Sequence, residues 1–401
     1  MTLKLKKLVS VAKNYLSLCF IAGLILYSPD NKAQTYRFKN FGAESTIPGT
    51  YLYNIIQDNN GFLWVGTGNG LAKSDGLGFY PVPYPDSITT RYVTASYKDS
   101  TGRIWFGCND GALFYTSGNE LVKYESSGFQ SISQILWSND GFLVVIPQEK
   151  SILRINLNKP SEQFITRVPS DIVMTCAAFA PDGKLLLATV ENLLYCTLGE
   201  DSLKIEEVVE GIEYTKVQSI LPVTGTNSYL AGTEGSGVYL LSFEGGKPVL
   251  KQTDNRLLPS NLDVKLLFEA KDGAVWISTF GAGLIKVMLQ PGTGIPETVT
   301  HFNTGNGLQS NDVRSVFEDN EGNIWAGLYG DGISMLVSQA LYFYAPGDMP
   351  ERNNIIYVKQ EGNSYFLGTS SGYYFFDPSS GKTGNFFDIR NRIGTDVSAF
   401  L

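Results

Sequence analysis

Catalytic and metal sites are mostly assembled from histidine, cysteine and paired carboxylates, and this chain offers few usable arrangements of them. His301 is its sole histidine. A Ser-His-Asp or Cys-His arrangement would have to be built on it, yet it sits before Phe302 in a segment between repeats with no distinctive context. No two of the four cysteines form a CxxC pair, and a zinc site usually needs several Cys or His ligands. Cys108, Cys176 and Cys196 lie in apolar, strand-like runs and read as buried, inert thiols; a single disulfide in an oxidising compartment is the alternative. Asp58, Asp99, Asp182 and Asp319 stand in glycine-containing turns. One carboxylate per turn is too few for calcium, which takes roughly six to eight oxygens, so Asx turns are expected instead. The glycine-rich run Gly66-Thr67-Gly68-Asn69-Gly70 is followed by another strand-like run, whereas a dinucleotide loop must open a helix. No catalytic residue, metal or cofactor is expected.

Binding chemistry is what remains. Ten residues are candidates for contacting a ligand: Asn69, Arg91, Tyr92, Asn109, Asp110, Glu234, Arg256, Phe280, Tyr329 and Asp331. They are aromatic planes and polar groups of the kind that suit sugar rings or peptides. They fall at corresponding places in a repeated unit, and that unit must position them.

The unit is plain in IIQDNNGFLWVGTGNGLAK (55–73), SYKDSTGRIWFGCNDGALF (96–114), LLFEAKDGAVWISTFGAGLIKV (266–287) and SVFEDNEGNIWAGLYGDGISML (315–336). Trp64, Trp105, Trp276 and Trp325 occupy one position, and Val144, Leu186, Leu230 and Phe366 take it in weaker copies. The mean spacing between these positions is about 43 residues. Each unit decodes into a β-rich run, a turn, a second run, a G-N-G or G-D-G turn, a third run and a looser aromatic fourth segment. A glycine three residues before the Trp position suits a backbone with positive φ; where it is missing, Asn227 and Asn363 stand in its place, and asparagine tolerates that conformation next best. Four strands per unit of 40–50 residues indicate propeller blades, and no sustained 3.6-residue period supports a helical solenoid. The Trp column is expected to be core between neighbouring blades. In a propeller, the turns between second and third strands share a face with the loops leading into each first strand. The ten candidates belong to that face, where loops on a rigid scaffold carry function.

The fold expected is therefore all-β, a propeller of four-stranded blades with eight repeats and the start of a ninth. YRFKNF (36–41) reads as an outer strand without a blade of its own, able to complete the last blade and close the ring. DVSAFL (396–401) matches DVRSVF (312–317), so a ninth repeat begins and stops, which suggests an N-terminal fragment. The domain reading is 1–34 a signal peptide, 35–340 a first propeller of about seven blades, and 341–401 an eighth blade and the start of a ninth, which would begin a second propeller. Lys4, Lys6, Lys7 and Lys13 precede an apolar run from Tyr15 to Tyr27 and then Ala33, the pattern of a secretory signal. Removing five Lys and Asp30 from the 31 basic and 39 acidic residues leaves a net charge of −12. An acidic surface of that size repels phosphate backbones and excludes nucleic acid as a partner. Charged residues are only 17% of the chain and aromatic ones 12%, which argues against disorder.

The signature D-x-x-G-x-[IL]-W-x-G-T-x-x-G-[IL] resembles the two-component regulator propeller repeat, known mainly from periplasmic sensor regions of hybrid two-component and histidine-kinase regulators of the Bacteroidota. The resemblance spans about residues 36–401 and is strongest in repeats 1, 2, 6 and 7. It implies paired propellers, then an immunoglobulin-like domain, a membrane helix and a cytoplasmic output module, with many members sensing oligosaccharides. The expected function is a non-catalytic, extracytoplasmic ligand-sensing module in the periplasm. Its partners would be an oligosaccharide or other small ligand and a membrane-bound signalling output domain in the same parent chain, with a homodimer left open. The alternatives are a propeller lyase or hydrolase acting on polysaccharide, and a periplasmic protein–protein scaffold.

Overall fold

The computed structural model describes residues 36–337 and 355–388, apart from a few turn positions; the expected signal peptide and the start of a ninth repeat lie outside the described residues. Eight four-stranded antiparallel sheets account for nearly all of the regular structure. The chain divides into two compact units, Met1–Ser338 and Gln339–Leu401. The first holds seven sheets, numbered here in chain order.

Sheets 1 to 6 each use four consecutive strands. Sheet 7 has only three of its own, and the strand Phe38–Phe41 supplies the fourth, paired antiparallel with Ile333–Leu336. The first strands of the seven sheets are Leu52–Gln57, Val93–Lys98, Ile132–Trp137, Met174–Phe179, Val217–Pro222, Asp263–Glu269 and Val313–Glu318. Each lies against the first strands of the sheets before and after it, and the seventh lies against the first. The seven sheets thus follow one another in a cycle, with the N-terminal strand completing the seventh.

The Trp column explains why the blades stack. Trp64 packs on Val93, Ile104 and Phe106 of sheet 2, Trp105 on Ile132 and Leu143 of sheet 3, and Trp276 on Val313 and Val316 of sheet 7. Trp325 packs on Leu52, Ile55 and Val65 of sheet 1, across the seam. Val144, Leu186 and Leu230 do the same in sheets 3, 4 and 5. All four tryptophans are 1–3% exposed. Burying a large apolar side chain stabilises by roughly 1.5–3 kcal/mol, and the ring repeats that gain at every blade interface.

The turn between first and second strands places Gly61, Gly102, Gly141, Gly183, Gly273 and Gly322 at φ of 78° to 91°. Sheet 5 corrects one expectation. Asn227 does not adopt positive φ; its turn is one residue longer, and Gly225 takes φ 76° instead. Asn363 lies outside the described residues, and its neighbour Gly362 has φ 62°. The backbone demand is real, but here glycine meets it by shifting position. The second unit contributes the sheet Ile355–Glu361, Ser364–Thr369, Gly372–Asp377 and Lys382–Asp388, with a small core of Leu367, Tyr374 and Phe376.

Candidate functional site

Every first strand in the ring begins with the same irregularity. The register slips by one residue near its start, which leaves Tyr53, Thr94, Ser133, Thr175, Gln218, Lys265 and Arg314 as bulge residues in sheets 1 to 7. A bulge re-aims a side chain out of the ladder. Here it does so seven times at one end of the central channel, called the mouth below. The turn between second and third strands is tied to the same end. Backbone amides of Gly68, Asn109, Gln148, Val190, Glu234 and Tyr329 donate to the carbonyls of Tyr51, Tyr92, Ser131, Val173, Lys216 and Asp312, each just before the bulged strand.

The seven bulge residues divide the mouth into two halves. In sheets 2 to 4 they are small hydroxyls. Thr94 Oγ1 donates to the Ile132 carbonyl and Thr175 Oγ1 to the Val217 carbonyl, both at 2.6 Å, so these side chains staple one blade to the next. In sheets 6, 7 and 1 they are Lys265, Arg314 and Tyr53, long side chains that lean on aromatic rings. Lys265 Nζ lies 4.4 Å from the Phe280 ring centre, and the Arg314 guanidinium 5.3 Å from that of Tyr53. Phe280 and Tyr329 are 5.2 Å apart, and Tyr329 and Tyr51 4.7 Å, centre to centre. Tyr53 and Tyr92 lie 4.9 Å apart, and their hydroxyls hydrogen-bond. Tyr51 and Tyr329 keep 48% and 41% of their surface exposed. Burial, then the Tyr92 hydrogen bond, push the Tyr53 hydroxyl well above the usual phenol range, so it stays neutral at any ordinary pH.

Charge on this arc is organised around Glu234. Lys216 Nζ approaches it at 3.0 Å and Lys265 Nζ at 3.8 Å, while Gln218 Nε2 donates to it. The Lys216 contact first, with burial opposing and Lys265 and Gln218 assisting, holds its carboxyl below the usual range. Lys265 also pairs with Asp263 at 2.7 Å. Asp312 accepts the Gly281 amide at 2.8 Å.

Of the ten residues expected at the site, Glu234, Phe280, Tyr329 and Tyr92 join this arc. Asn69 and Asp331 are exposed in their turns. Asn109 Oδ1 accepts from Ser131, and Asp110 caps its own turn through the Ala112 amide. Arg91 is exposed, with its guanidinium 5.9 Å from the Tyr84 ring centre. Arg256 is turned to Asp254, two residues before it, at 2.6 Å. That pairing takes Asp254 down to about 2. Tyr51, Tyr53, Lys265 and Arg314 escaped sequence reasoning. In six of the seven blades the signal is simple: the bulge lies 11 residues before the Trp position, as Tyr53, Thr94, Lys265 and Arg314 do, and in sheet 5 it lies 12 before.

The residues set aside for other chemistry sit elsewhere. His301 is on the outer strand of sheet 6. The three thiols are free and buried, and burial pushes those of Cys176 and Cys196 up to about 12. Asp58, Asp99 and Asp319 are saturated turn acceptors. Asp99 alone takes the amides of Thr101 and Arg103, the Thr101 hydroxyl, the Arg103 guanidinium and the Trp105 indole. Asp182 differs: it stands one residue before its glycine, not three, and accepts from the Tyr195 hydroxyl and the Lys184 amide.

Residues 46–69, 87–110 and 307–330 match the two component regulator propeller. Three segments of the chain thus match this repeat. The matches fall on repeats 1, 2 and 7 and run from the lead-in loop through the bulged strand to the mouth turn. In fold, the repeats resemble the extracellular domain of BT3049 from B. thetaiotaomicron, described as part of a hybrid two component system, at 22% identity and a TM-score of 0.65. A second extracellular domain from that organism, BT4673, is 18% identical with a TM-score of 0.60. The chain is covered to 88% and 87% by these likenesses but spans only 49% and 46% of the two solved chains. Virginiamycin B lyase from Staphylococcus aureus shares the fold at 15% identity and a TM-score of 0.57, over 75% of this chain and 99% of its own. No curated protein sequence matches. Among the described residues no helix is long and apolar enough to cross a membrane.

Proposed function

We propose that this chain is the extracytoplasmic, ligand-sensing part of a two-component regulator and performs no catalysis itself. One observation carries the reading: regulator propeller repeats hold one backbone device, the mouth bulge, constant in seven blades while presenting Tyr, Thr, Ser, Thr, Gln, Lys and Arg from it. A rigid frame with changing side chains at one opening is how a scaffold carries recognition. Exposed tyrosine rings beside cations and amides suit an oligosaccharide fragment or another small extracytoplasmic ligand. The carboxylates of the arc are engaged by lysines or backbone amides, and the sole histidine is on an outer strand, which supports recognition over turnover.

In the proposed arrangement residues 1–34 direct export and are removed, residues 35–340 form the first propeller, and 341–401 begin a second. Binding would change packing around the mouth and pass to a membrane-bound output domain, with self-association as a further route. The test is thermal unfolding of the exported chain against a broad panel of oligosaccharides. A ligand that binds only the folded state raises the melting temperature by mass action, about 2.7 kcal/mol at a hundredfold excess over Kd. At least one oligosaccharide is expected to raise it without being cleaved. Turnover of any of them removes the non-catalytic reading, and a flat response across the panel removes the glycan one.

A further inference from the structure

We propose that the sheet 6–7–1 half of the mouth is a subsite for a carboxylate-bearing sugar ring, with Arg314 binding the carboxylate and Tyr51, Tyr53, Tyr92, Tyr329 and Phe280 forming the wall. This rests on the sensing reading above and adds the charge of the ligand to it.

The argument begins with the cations. Around this arc Lys216 and Lys265 are committed to Glu234, and Lys265 to Asp263 as well. Arg314 is not: among the described residues no carboxylate lies within ion-pair distance of it. The nearby Asp312 carboxylate accepts the Gly281 amide instead. The guanidinium rests 5.3 Å from the Tyr53 ring centre, and the bulge holds it at the mouth. A guanidinium on an aromatic face keeps its planar fork of donors for a carboxylate, which it can grip through two hydrogen bonds.

The wall determines the shape of what carries that carboxylate. The ring pairs meet at 65° for Tyr51–Tyr329, 45° for Phe280–Tyr329 and 52° for Tyr53–Tyr92. Rings tilted against one another offer no parallel-walled slot for a flat base, and the exposed Tyr51 and Tyr329 rings suit contact with the C–H-rich face of a pyranose. The Tyr53 hydroxyl, kept neutral by burial and by Tyr92, can both donate and accept toward sugar hydroxyls. The opposite half of the mouth offers less, because Thr94 and Thr175 are bonded to backbone carbonyls. The net charge of the mature chain is negative, so an anionic sugar gains nothing from the overall field; the preference has to come from this one local cation.

The test is calorimetric titration of the exported chain with short oligomers of galacturonate, glucuronate, mannuronate and guluronate, each beside its carboxyl-reduced neutral counterpart, and with uridine monophosphate as a flat anionic probe. At least one uronate oligomer should bind tenfold or more tightly than its neutral partner. Arg314→Gln should bring the two within about twofold, Arg314→Lys should restore part of the gap, and Tyr329→Ala should weaken both partners together. Unchanged melting temperature in the absence of ligand shows that each variant is folded. Equal binding of acidic and neutral oligomers, an acid preference that survives Arg314→Gln, or uridine monophosphate binding better than every uronate overturns the proposal. If neutral oligosaccharides bind and uronates do not, this inference fails while the glycan-sensing reading stands; if no saccharide binds, this inference and the glycan reading fail together.

Discussion

Sheets 1, 2 and 7 and sheets 3, 4 and 5 share one backbone and fill it differently. In the first group Trp64, Trp105 and Trp325 donate their indole N–H to Asp58, Asp99 and Asp319 at 2.7–2.9 Å. In sheets 3 and 4 the core position holds Val144 and Leu186, and the turn position three before the glycine holds Ser138 and Ala180. Where the indole goes, its acceptor goes too. A buried carboxylate without its donors costs about 1–3 kcal/mol or more, so the pair is exchanged as a unit. Sheet 6 separates the two: Trp276 is buried, but its turn position is Ala270, and Lys286 lies 5.6 Å from the indole ring centre. Volume between blades and polar closure of the turn are therefore distinct requirements, and the chain contains the comparison that separates them.

Trp105→Leu imports the sheet 4 residue into sheet 2 and should have the largest effect. It removes core volume, at about 3–5 kcal/mol for a full truncation to alanine, and strips a donor from Asp99. Trp276→Leu should cost less by about 1–3 kcal/mol, because no carboxylate is left behind. Denaturant unfolding of the two variants measures the difference; equal losses would show that the Asp–Trp pair contributes nothing.

The next comparison concerns the position two after the Trp column. Gly107 has no room for a methyl group, since a Cβ there would stand 2.5 Å from Ile132 Cγ2. Sheets 3 and 4 hold Ile146 and Ala188 at the same place, both buried. Gly107→Ala should destabilise by about 1–3 kcal/mol through overpacking, whereas Ala188→Gly should lose only about 0.5–1 kcal/mol. Matched melting curves decide it; a neutral Gly107→Ala would mean that Ile132 moves aside freely.

The smallest effect separates the groups by acid sensitivity. Burial works against ionisation of Asp99, but hydrogen bonds from Thr101, Trp105 and Arg103 outweigh it and hold the carboxyl below its usual range. A depressed carboxylate contributes stability that is complete above its unfolded pKa, about 3.9, and is lost as pH falls through the lower folded value. Melting temperature should therefore fall below about pH 4, less steeply in Asp99→Asn. Ser138, in sheet 3, has no such titration, so Ser138→Ala should leave the acid limb unchanged.

Much of this was legible before any coordinates. The period of about 43 residues, the Trp column and the four runs per unit pointed to a propeller, and the lone strand at 36–41 pointed to the seam. The site was read only in part. Turn residues were found because turns have compositional signatures, and Phe280, Tyr329, Tyr92 and Glu234 do converge. Arg256 could not be excluded from spacing alone, since its partner Asp254 is visible only as geometry. Tyr53, Lys265 and Arg314 were missed because they sit inside strand-like runs, where strict alternation assigns them to a face of the sheet. A bulge breaks that alternation, and nothing in a single strand's composition marks it.

The sequence alone therefore determined the blade. Period, glycine at a tight turn and apolar alternation are local demands, and each repeat states them in its own residues. Only the tertiary structure decided which repeat neighbours which, that the seventh closes on the first, and that side chains more than 250 residues apart, Tyr53 and Arg314, share one opening. Ring closure is a long-range event: it depends on Trp325 meeting Leu52 and Ile55, and on Phe38–Phe41 pairing beside Ile333–Leu336. The chemistry of the mouth exists only once that seam is shut.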